Sequence, residues 1–352
     1  MFEGWWGSIP RASIALLGLD ALRRARISLG WGIARCPRMP EPHQRRSPTM
    51  TKILITGSTG LIGRHLSAAL RDRGDEVVGL TRSESVAGQT TRQWDPSASS
   101  LDPAVVSGFD VVVHLAGENI GEGRWTRAKK DRISQSRLNS TRILSEALAR
   151  AEGPPQLLIS ASAVGYYGDR GEELLTEKSA PGSGFLAELA VEWENAAGPA
   201  REGGITVIHP RIGPVLTTLG GALAKMLPPF RLGLGGVAGS GQQYMSWIAL
   251  DDAVASLCHL VDRGRDLAGP VNVVAPTPVT NREFTHALGG VIRRPTAIPL
   301  PAVAARLMLG EMADALLLAG QRVSSERLQA SGFRFRFPQL ESALRHVIET
   351  SG

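Results

Sequence analysis

Three glycines spaced three apart, in Thr56-Gly57-Ser58-Thr59-Gly60-Leu61-Ile62-Gly63, constrain this chain more than any other stretch. An apolar run, Lys52-Ile53-Leu54-Ile55, leads into them, and an amphipathic run from Leu61 to about Arg73 leads out. A second β-type run follows at Glu76–Thr81, so the pattern predicts strand, glycine turn, helix, strand. In such a unit Gly57 permits the tight turn, Gly60 lets backbone approach a pyrophosphate, and Gly63 lets the helix pack closely on its strand. The N–H groups of the helix start then face the phosphates. Residues Gly57, Ser58, Thr59, Gly60, Leu61, Ile62 and Gly63 are therefore expected to cradle a dinucleotide.

The net charge of +6 invites a nucleic-acid reading, but its distribution argues against one. Residues 1–49 hold eight Arg and three acids, so most of the excess lies there and the remainder is close to neutral. That segment also carries three of the seven Trp and no Lys, and Pro37 to Pro48 is rich in Pro and Arg. It lacks the clean apolar core of a secretory signal, an Arg-rich transit peptide is an alternative, and the reading adopted is a natural start at Met50. No run of about 20 apolar residues predicts a membrane span. Two cysteines, Cys36 and Cys258, form no metal or disulfide framework, which suits a reducing, cytoplasmic setting. No metal site is expected.

From Met50 on, strands and helices alternate, which predicts an α/β fold with a doubly wound, mostly parallel sheet. Arg82 ends the second strand, where an acid would hold the ribose hydroxyls of NAD; an Arg suits the 2′-phosphate of NADP instead. Asp95, after a third strand ending at Trp94-Asp95, is placed to reach the adenine amino group. The buried-type strand Asp110–His114 runs into Leu115-Ala116-Gly117, small enough for backbone to pass a ribose. A helix is expected from Thr126 to about Ala149; most of its basic residues, Lys129 among them, read as a solvated face, with Arg132 and Arg137 aimed at phosphate. The fifth strand, Gln156–Ser160, leads to Ser162, Tyr166 and Tyr167, at the sheet end where such folds place their chemistry. A sixth strand spans Ile205–Ile208, and Asp252 reads as a helix cap.

Taken together, Thr56–Gly63, His114-Leu115-Ala116-Gly117, the Ser-rich strand end with Tyr-Gly, Arg211 with Gly213-Pro214, and Trp247–Asp252 resemble an extended short-chain dehydrogenase/reductase. Gly117-Glu118-Asn119-Ile120, Arg124-Trp125-Thr126, Gly165-Tyr166-Tyr167-Gly168 and Pro229–Gly236 resemble its atypical "epimerase family protein" branch. The resemblance covers about residues 51–349. It implies a Rossmann domain binding NADP(H) in preference to NAD(H), over 50–220 plus about 245–275, and a C-terminal substrate lobe over 221–244 and 276–352. Carried over by position, Thr81, Arg82, Leu115, Ala116, Arg132, Arg137 and Val215 would line the cofactor, with Arg211 counted beside them.

One departure from that family concerns catalysis. Its working members use a Tyr-x-x-x-Lys helix, but the matching stretch here is Phe185-Leu186-Ala187-Glu188-Leu189, and no Tyr or Lys lies between Ala180 and Pro199. Any proton transfer would fall to Ser162 as hydrogen-bond donor and to Tyr166 or Tyr167 as general acid/base. Arg231, Gln242 and Trp247, around a glycine-rich loop, are candidates to meet substrate. The alternation of Phe333, Phe335 and Phe337 with Arg fits a half-exposed strand, and Leu340–Ile348 a final helix. Two classes remain: an NADP(H)-dependent oxidoreductase or epimerase acting on a small polar, sugar-like substrate, or an NADP(H)-binding sensor or partner-binding module without turnover. Substrate identity and oligomeric state stay open, a homodimer among the latter.

Overall fold

The computed structural model describes residues 50–83 and 90–350, so the reading of residues 1–49 lies outside the described residues. Eight strands form the main sheet: β1 (Lys52–Thr56), β2 (Glu76–Thr81), β3 (Thr90–Gln93), β4 (Val111–His114), β5 (Leu157–Ser160), β6 (Ser162–Ala163), β7 (Thr206–Ile212) and β8 (Gly269–Val273). Their order is β8-β7-β5-β4-β1-β2-β3, with β6 pairing β7, and the strand pairs are parallel. The principal helices are α1 (Leu61–Asp72), α2 (Arg127–Ala149), α3 (Phe185–Asn195), α4 (Gly221–Arg231), α5 (Leu250–Arg263), α6 (Asn281–Ile292) and α7 (Leu340–Glu349). This is a Rossmann-type doubly wound sheet, as the alternation of elements implies.

Strand periodicity explains how both faces are covered. In β1, Ile53 and Ile55 enter one cluster with Leu66 and Leu70 of α1 and Leu257 and Leu260 of α5. Leu54 points the other way, into a cluster with Val112 of β4 and Ile143, Leu144 and Leu148 of α2. With both faces buried, these strands need continuous apolar runs rather than alternation. A third cluster joins Leu223, Leu227 and Phe230 of α4, Trp247, Phe284 and Leu288 of α6, and Leu340 and Leu344 of α7. Among the described residues no helix is long and apolar enough to cross a membrane.

Several boundaries differ from the sequence reading. The sixth expected strand continues through Pro210 to Ile212. Proline cannot donate to a ladder, and Pro210 falls where pairing to β5 has stopped at Ile159↔Ile208 and resumes only at Ser162↔Arg211. The third strand ends at Gln93, short of Trp94-Asp95. The expected strand through Phe333, Phe335 and Phe337 is corrected: residues 331–339 form no strand. The alternation holds nonetheless, with Phe333 and Phe337 buried and Arg334 and Arg336 exposed. A backbone strap is held by a carboxylate instead of a neighbouring strand. Asp252, 1% exposed in the first turn of α5, accepts from the N–H of Arg336 (2.8 Å) and of Phe337 (2.9 Å).

Asp252 is thus a tie for the C-terminal strap rather than a helix cap. Leaving a buried N–H unpaired costs about 1–3 kcal/mol. Asp252→Ala should lower the unfolding free energy by about that amount in urea titration, and an unchanged midpoint would show that the strap holds without it.

Candidate functional site

The strand order reverses between β1 and β4, so the loops leaving these neighbours diverge and open a crevice at their carboxyl ends. On the β1 side, Gly57 has φ +68°, and a Cβ there would lie 2.8 Å from the Leu115 carbonyl carbon. A Cβ on Gly63 would lie 2.1 Å from the Gly57 oxygen. Neither position can carry a side chain. A Cβ on Gly60 would meet only the Gly57 oxygen, at 3.2 Å, so the space outside Gly60 stays open. Gly60 is also the N-cap of α1 and offers no side-chain acceptor, so a ligand's anionic oxygens can satisfy the first-turn N–H groups. Thr59 and Gly60 are exposed, whereas Ser58 is fully buried, with its side chain turned inward. Leu61, Ile62, Leu115 and Val215 are partly buried, each packed against the first core cluster.

Below this cradle lies a buried polar chain that sequence reasoning missed. Thr56 Oγ1 lies 2.6 Å from His114 Nδ1 and accepts from the N–H groups of Leu115 and Ala116, each at 3.2 Å. His114 Nε2 lies 2.9 Å from Thr141 Oγ1, to which the Trp193 indole N–H donates at 3.0 Å. Burial, aided by the nearby Arg137 charge, holds the His114 pKa down to about 3.

At the β2 end, Arg82, Gln93, Trp94 and Asp95 line an open depression of about 450 Å³. Arg82 is exposed and its carbonyl accepts from Gln93 Nε2 at 3.2 Å. Thr81 donates to the Ser83 carbonyl at 2.6 Å. Asp95 accepts from the Ser97 N–H (2.8 Å) and hydroxyl (2.6 Å), and these bonds hold its pKa below the ordinary carboxylate value.

The basic residues of α2 divide differently from the sequence reading. Lys129, expected on the solvated face, is only 6% exposed and pairs with Glu118 at 2.7 Å, which keeps Glu118 below its usual range. Arg132 stays exposed, 4.0 Å from Glu118. Arg137 donates to the carbonyls of Glu118 (3.1 Å) and Ile133 (3.2 Å), with its guanidinium carbon 5.0 Å from the centre of the Trp193 ring. A Cβ on Gly117 would sit 3.3 Å from that carbon, so the glycine admits the Arg137 fork beneath the loop. Burial lowers the Arg137 pKa to about 10.

Ser162, Tyr166 and Tyr167 are brought together around a buried ion pair. Arg211, 2% exposed, makes a two-pronged contact with Glu194 of α3 at 2.8 and 2.9 Å. Its guanidinium carbon lies 3.4 Å from the centre of the Tyr166 ring, and its third nitrogen donates to the Tyr167 hydroxyl at 3.0 Å. Ser162 donates to Glu194 at 2.7 Å. Tyr167 is fully buried and donates to Asn272 Oδ1 at 2.7 Å; burial raises its pKa. The expectation that Tyr167 works as acid/base is corrected by this enclosure, because no substrate can touch it. Arg211 is likewise committed to Glu194 and both rings rather than to a ligand. Tyr166 alone of the pair is partly exposed.

At the head of α3, Phe185 packs edge-on against Trp125, centroids 5.3 Å apart, and Leu189 is buried in the same apolar cluster. Trp247, proposed to meet substrate, is fully buried in the third core cluster, with its indole donating to the Thr277 carbonyl at 3.1 Å. That expectation too is corrected. Arg231 at the end of α4 and Gln242 in the glycine-rich loop are exposed.

A doubly wound sheet with a side-chain-free cradle at its switch point defines a dinucleotide-binding protein of the extended short-chain dehydrogenase/reductase type. Residues 53–274 match the NAD dependent epimerase/dehydratase family, and residues 300–347 match a domain of unknown function, DUF1731. The chain belongs to that epimerase/dehydratase family. It is 43% identical over 300 residues to the epimerase family protein Mb2239 of Mycobacterium bovis, covering 85% of this chain and 98% of that one. It is 36% identical over 304 residues to the Homo sapiens epimerase family protein SDR39U1, covering 84% of this chain and 99% of the human one. The crystal structure of human SDR39U1 (isoform2) with NADPH superposes with a TM-score of 0.76 at 35% identity, covering 84% of this chain and 99% of that one.

Two buried histidines give the fold a pH signature. His209 is held down to about 4, chiefly by burial, as His114 is to about 3, against an ordinary value of 6.5. The unfolded chain takes up these protons near pH 6.5 while the folded chain resists, so stability present above that value is lost as pH falls toward 4. The urea midpoint should therefore drop between about pH 7 and pH 5, and drop less in His209→Gln. Equal drops in the two proteins would remove His209 from the account.

Proposed function

We propose that the chain binds NADP(H) and acts as an oxidoreductase or epimerase on a small polar, sugar-like substrate. The observation that carries this reading is the cradle of Gly57, Gly60 and Gly63 at the uncapped start of α1, where added Cβ atoms would collide with backbone or narrow the open space. The residues fit a dinucleotide: the α1 N-terminus for the pyrophosphate, Leu115 to Gly117 for the nicotinamide-side ribose, and the depression at Asp95 for the adenine. The NADPH in the human relative supports the same choice. We assign Arg82 to the 2′-phosphate, since it is exposed at the rim of that depression. Arg132 and Arg137 are kept as phosphate-side residues, Arg137 through the loop it braces. Residues 50–220 with about 245–275 would form the cofactor domain. Residues 221–244 and 276–352 would form the substrate lobe, much of its apolar interior packed in the third core cluster with Leu216, Trp247, Ala249 and Ala275 of the cofactor domain.

When bound, the nicotinamide supplies or accepts hydride. The chain's own part is to hold and move a proton, and we assign that to Tyr166, with its ring face on the Arg211 guanidinium. A positive charge fixed against the ring favours negative charge building on the phenol oxygen during transfer. Ser162 would steady Glu194 beneath it. Arg231 and Gln242 are assigned to substrate contact.

The second reading, an NADP(H)-binding sensor or partner-binding module without turnover, draws its support from α3, where Phe185 and Leu189 stand in place of a proton donor and its cation.

NADPH should bind more tightly than NADH, with Arg82→Ala removing most of the difference, a charge-assisted contact of about 1.5–3 kcal/mol. Calorimetric titration of both cofactors checks this, and equal affinities in the unmodified protein would sink it. Screening carbonyl substrates for NADPH oxidation separates the two readings. Where a substrate turns over, Tyr166→Phe should cut the rate by about 10²–10⁴-fold with NADPH affinity intact; full activity would clear Tyr166 of the role.

A further inference from the structure

Counting donors and acceptors favours one set of proton positions along the chain from Thr56 to Trp193. A threonine hydroxyl offers one proton and two lone pairs. At Thr56 the N–H of Ala116 takes one lone pair, and the N–H of Leu115, shared with the Thr56 backbone carbonyl at 3.2 Å, takes the other. Its proton is then directed at His114 Nδ1, 2.6 Å away. Nδ1 is then an acceptor, and the neutral ring carries its hydrogen on Nε2, donating to Thr141 Oγ1 at 2.9 Å. Ser140, which spends its own proton on the Ser136 carbonyl at 2.6 Å, can accept weakly from the same Nε2–H at 3.4 Å. The indole of Trp193 can only donate, and it fills the remaining lone pair of Thr141.

From this we infer that His114, in its Nε2–H tautomer, is a positioning residue for the cofactor cradle, acting through Thr56. Its ring is fully buried and touches no ligand surface. What it controls is the direction of the Thr56 hydroxyl, and so the grip of Thr56 on the two amides that begin the Leu115–Gly117 loop. That loop lies against Gly57, where an added Cβ would come within 2.8 Å of the Leu115 carbonyl carbon and 2.9 Å of the Ala116 nitrogen. The two lips of the crevice are thus tied by one hydroxyl, beside the backbone bond from the Leu115 N–H to the Thr56 carbonyl at 3.2 Å. With an Nδ1–H ring, or a doubly protonated one, Thr56 would face three donors with two lone pairs, and the Leu115 N–H would fall back on the Thr56 carbonyl alone. Burial and the positive charge of Arg137, the charged group facing the ring, keep that state away from neutral pH. At the far end, Trp193 brings α3 into the same chain, so the cradle is braced against the helix whose first turn carries Phe185.

This inference rests on the NADP(H) reading, and the experiment tells the two apart. NADPH is titrated by its fluorescence into the unmodified protein and into Thr56→Val, His114→Leu, the double variant Thr56→Val/His114→Leu, and His114→Asn. The unmodified protein should bind. Thr56→Val and His114→Leu should each weaken binding about tenfold, the double variant no more than either alone, since both break one link. His114→Asn, whose side-chain carbonyl can accept from Thr56 at the Nδ1 position, should recover most of the affinity even though Thr141 loses its donor. Leu260→Ala, in the core between β1 and α5, should lower stability with NADPH affinity unchanged. Independently of any cofactor, ¹⁵N resonances of His114 should show a protonated Nε2 and a bare Nδ1 from pH 8 to pH 5. No NADPH binding by the unmodified protein would overturn the cofactor reading itself. Binding in His114→Leu equal to the unmodified protein's, multiplicative losses in the double variant, or an Nδ1–H ring would overturn the role of His114 while leaving that reading in place.

Discussion

The approach of two backbone segments, closer than any side chain permits, is the constraint on which the site depends. Gly57 meets the Leu115 carbonyl from one side and Gly63 meets the Gly57 oxygen from the other. Those contacts fix how α1 leaves β1 and how the loop after β4 passes it. The crevice between them is a consequence of strand order, since α1 and α2 depart to opposite faces of the sheet. Apolar burial on each face makes the sheet stable, but the glycines make it concave at this one place.

How legible the molecule was in its sequence follows from how local each signal is. The glycine turn, the ends of α1, β2 and α2, and the final helix depend on near neighbours, and they stand within a residue or two of the sequence reading. The strand through Phe333 was misread because alternation reports burial, not pairing. The backbone there found a carboxylate 84 residues away instead of a neighbouring strand. Lys129 was misread because nothing nearby in the sequence announces that Glu118 folds back over it.

The Glu194–Arg211 pair shows a further limit. Glu194 lies on a helix and Arg211 on a strand, and their contact exists only once α3 packs beside β7. Two buried opposite charges offset each other only with close geometry, and here the two-pronged contact, the Ser162 hydroxyl and the Tyr167 hydroxyl supply it. Tyr166 and Tyr167, adjacent in sequence, therefore have different fates: one ring rests on the guanidinium and stays partly open, and the other is sealed under Asn272. Sequence alone could name both phenols but not choose between them.

The strap pinned by Asp252 has a consequence for how the molecule comes apart. Phe333 belongs to the core beneath the sheet and Phe337, four residues later, to the core of α4, α6 and α7. Residues this close along a chain cannot leave one core without dragging on the other, and the carboxylate between them removes the slack. The described residues from Met50 to Thr350 form one compact unit. Two hydrophobic interiors stitched at this point share one short stretch of backbone, so a lesion that loosens either core pulls directly on the other.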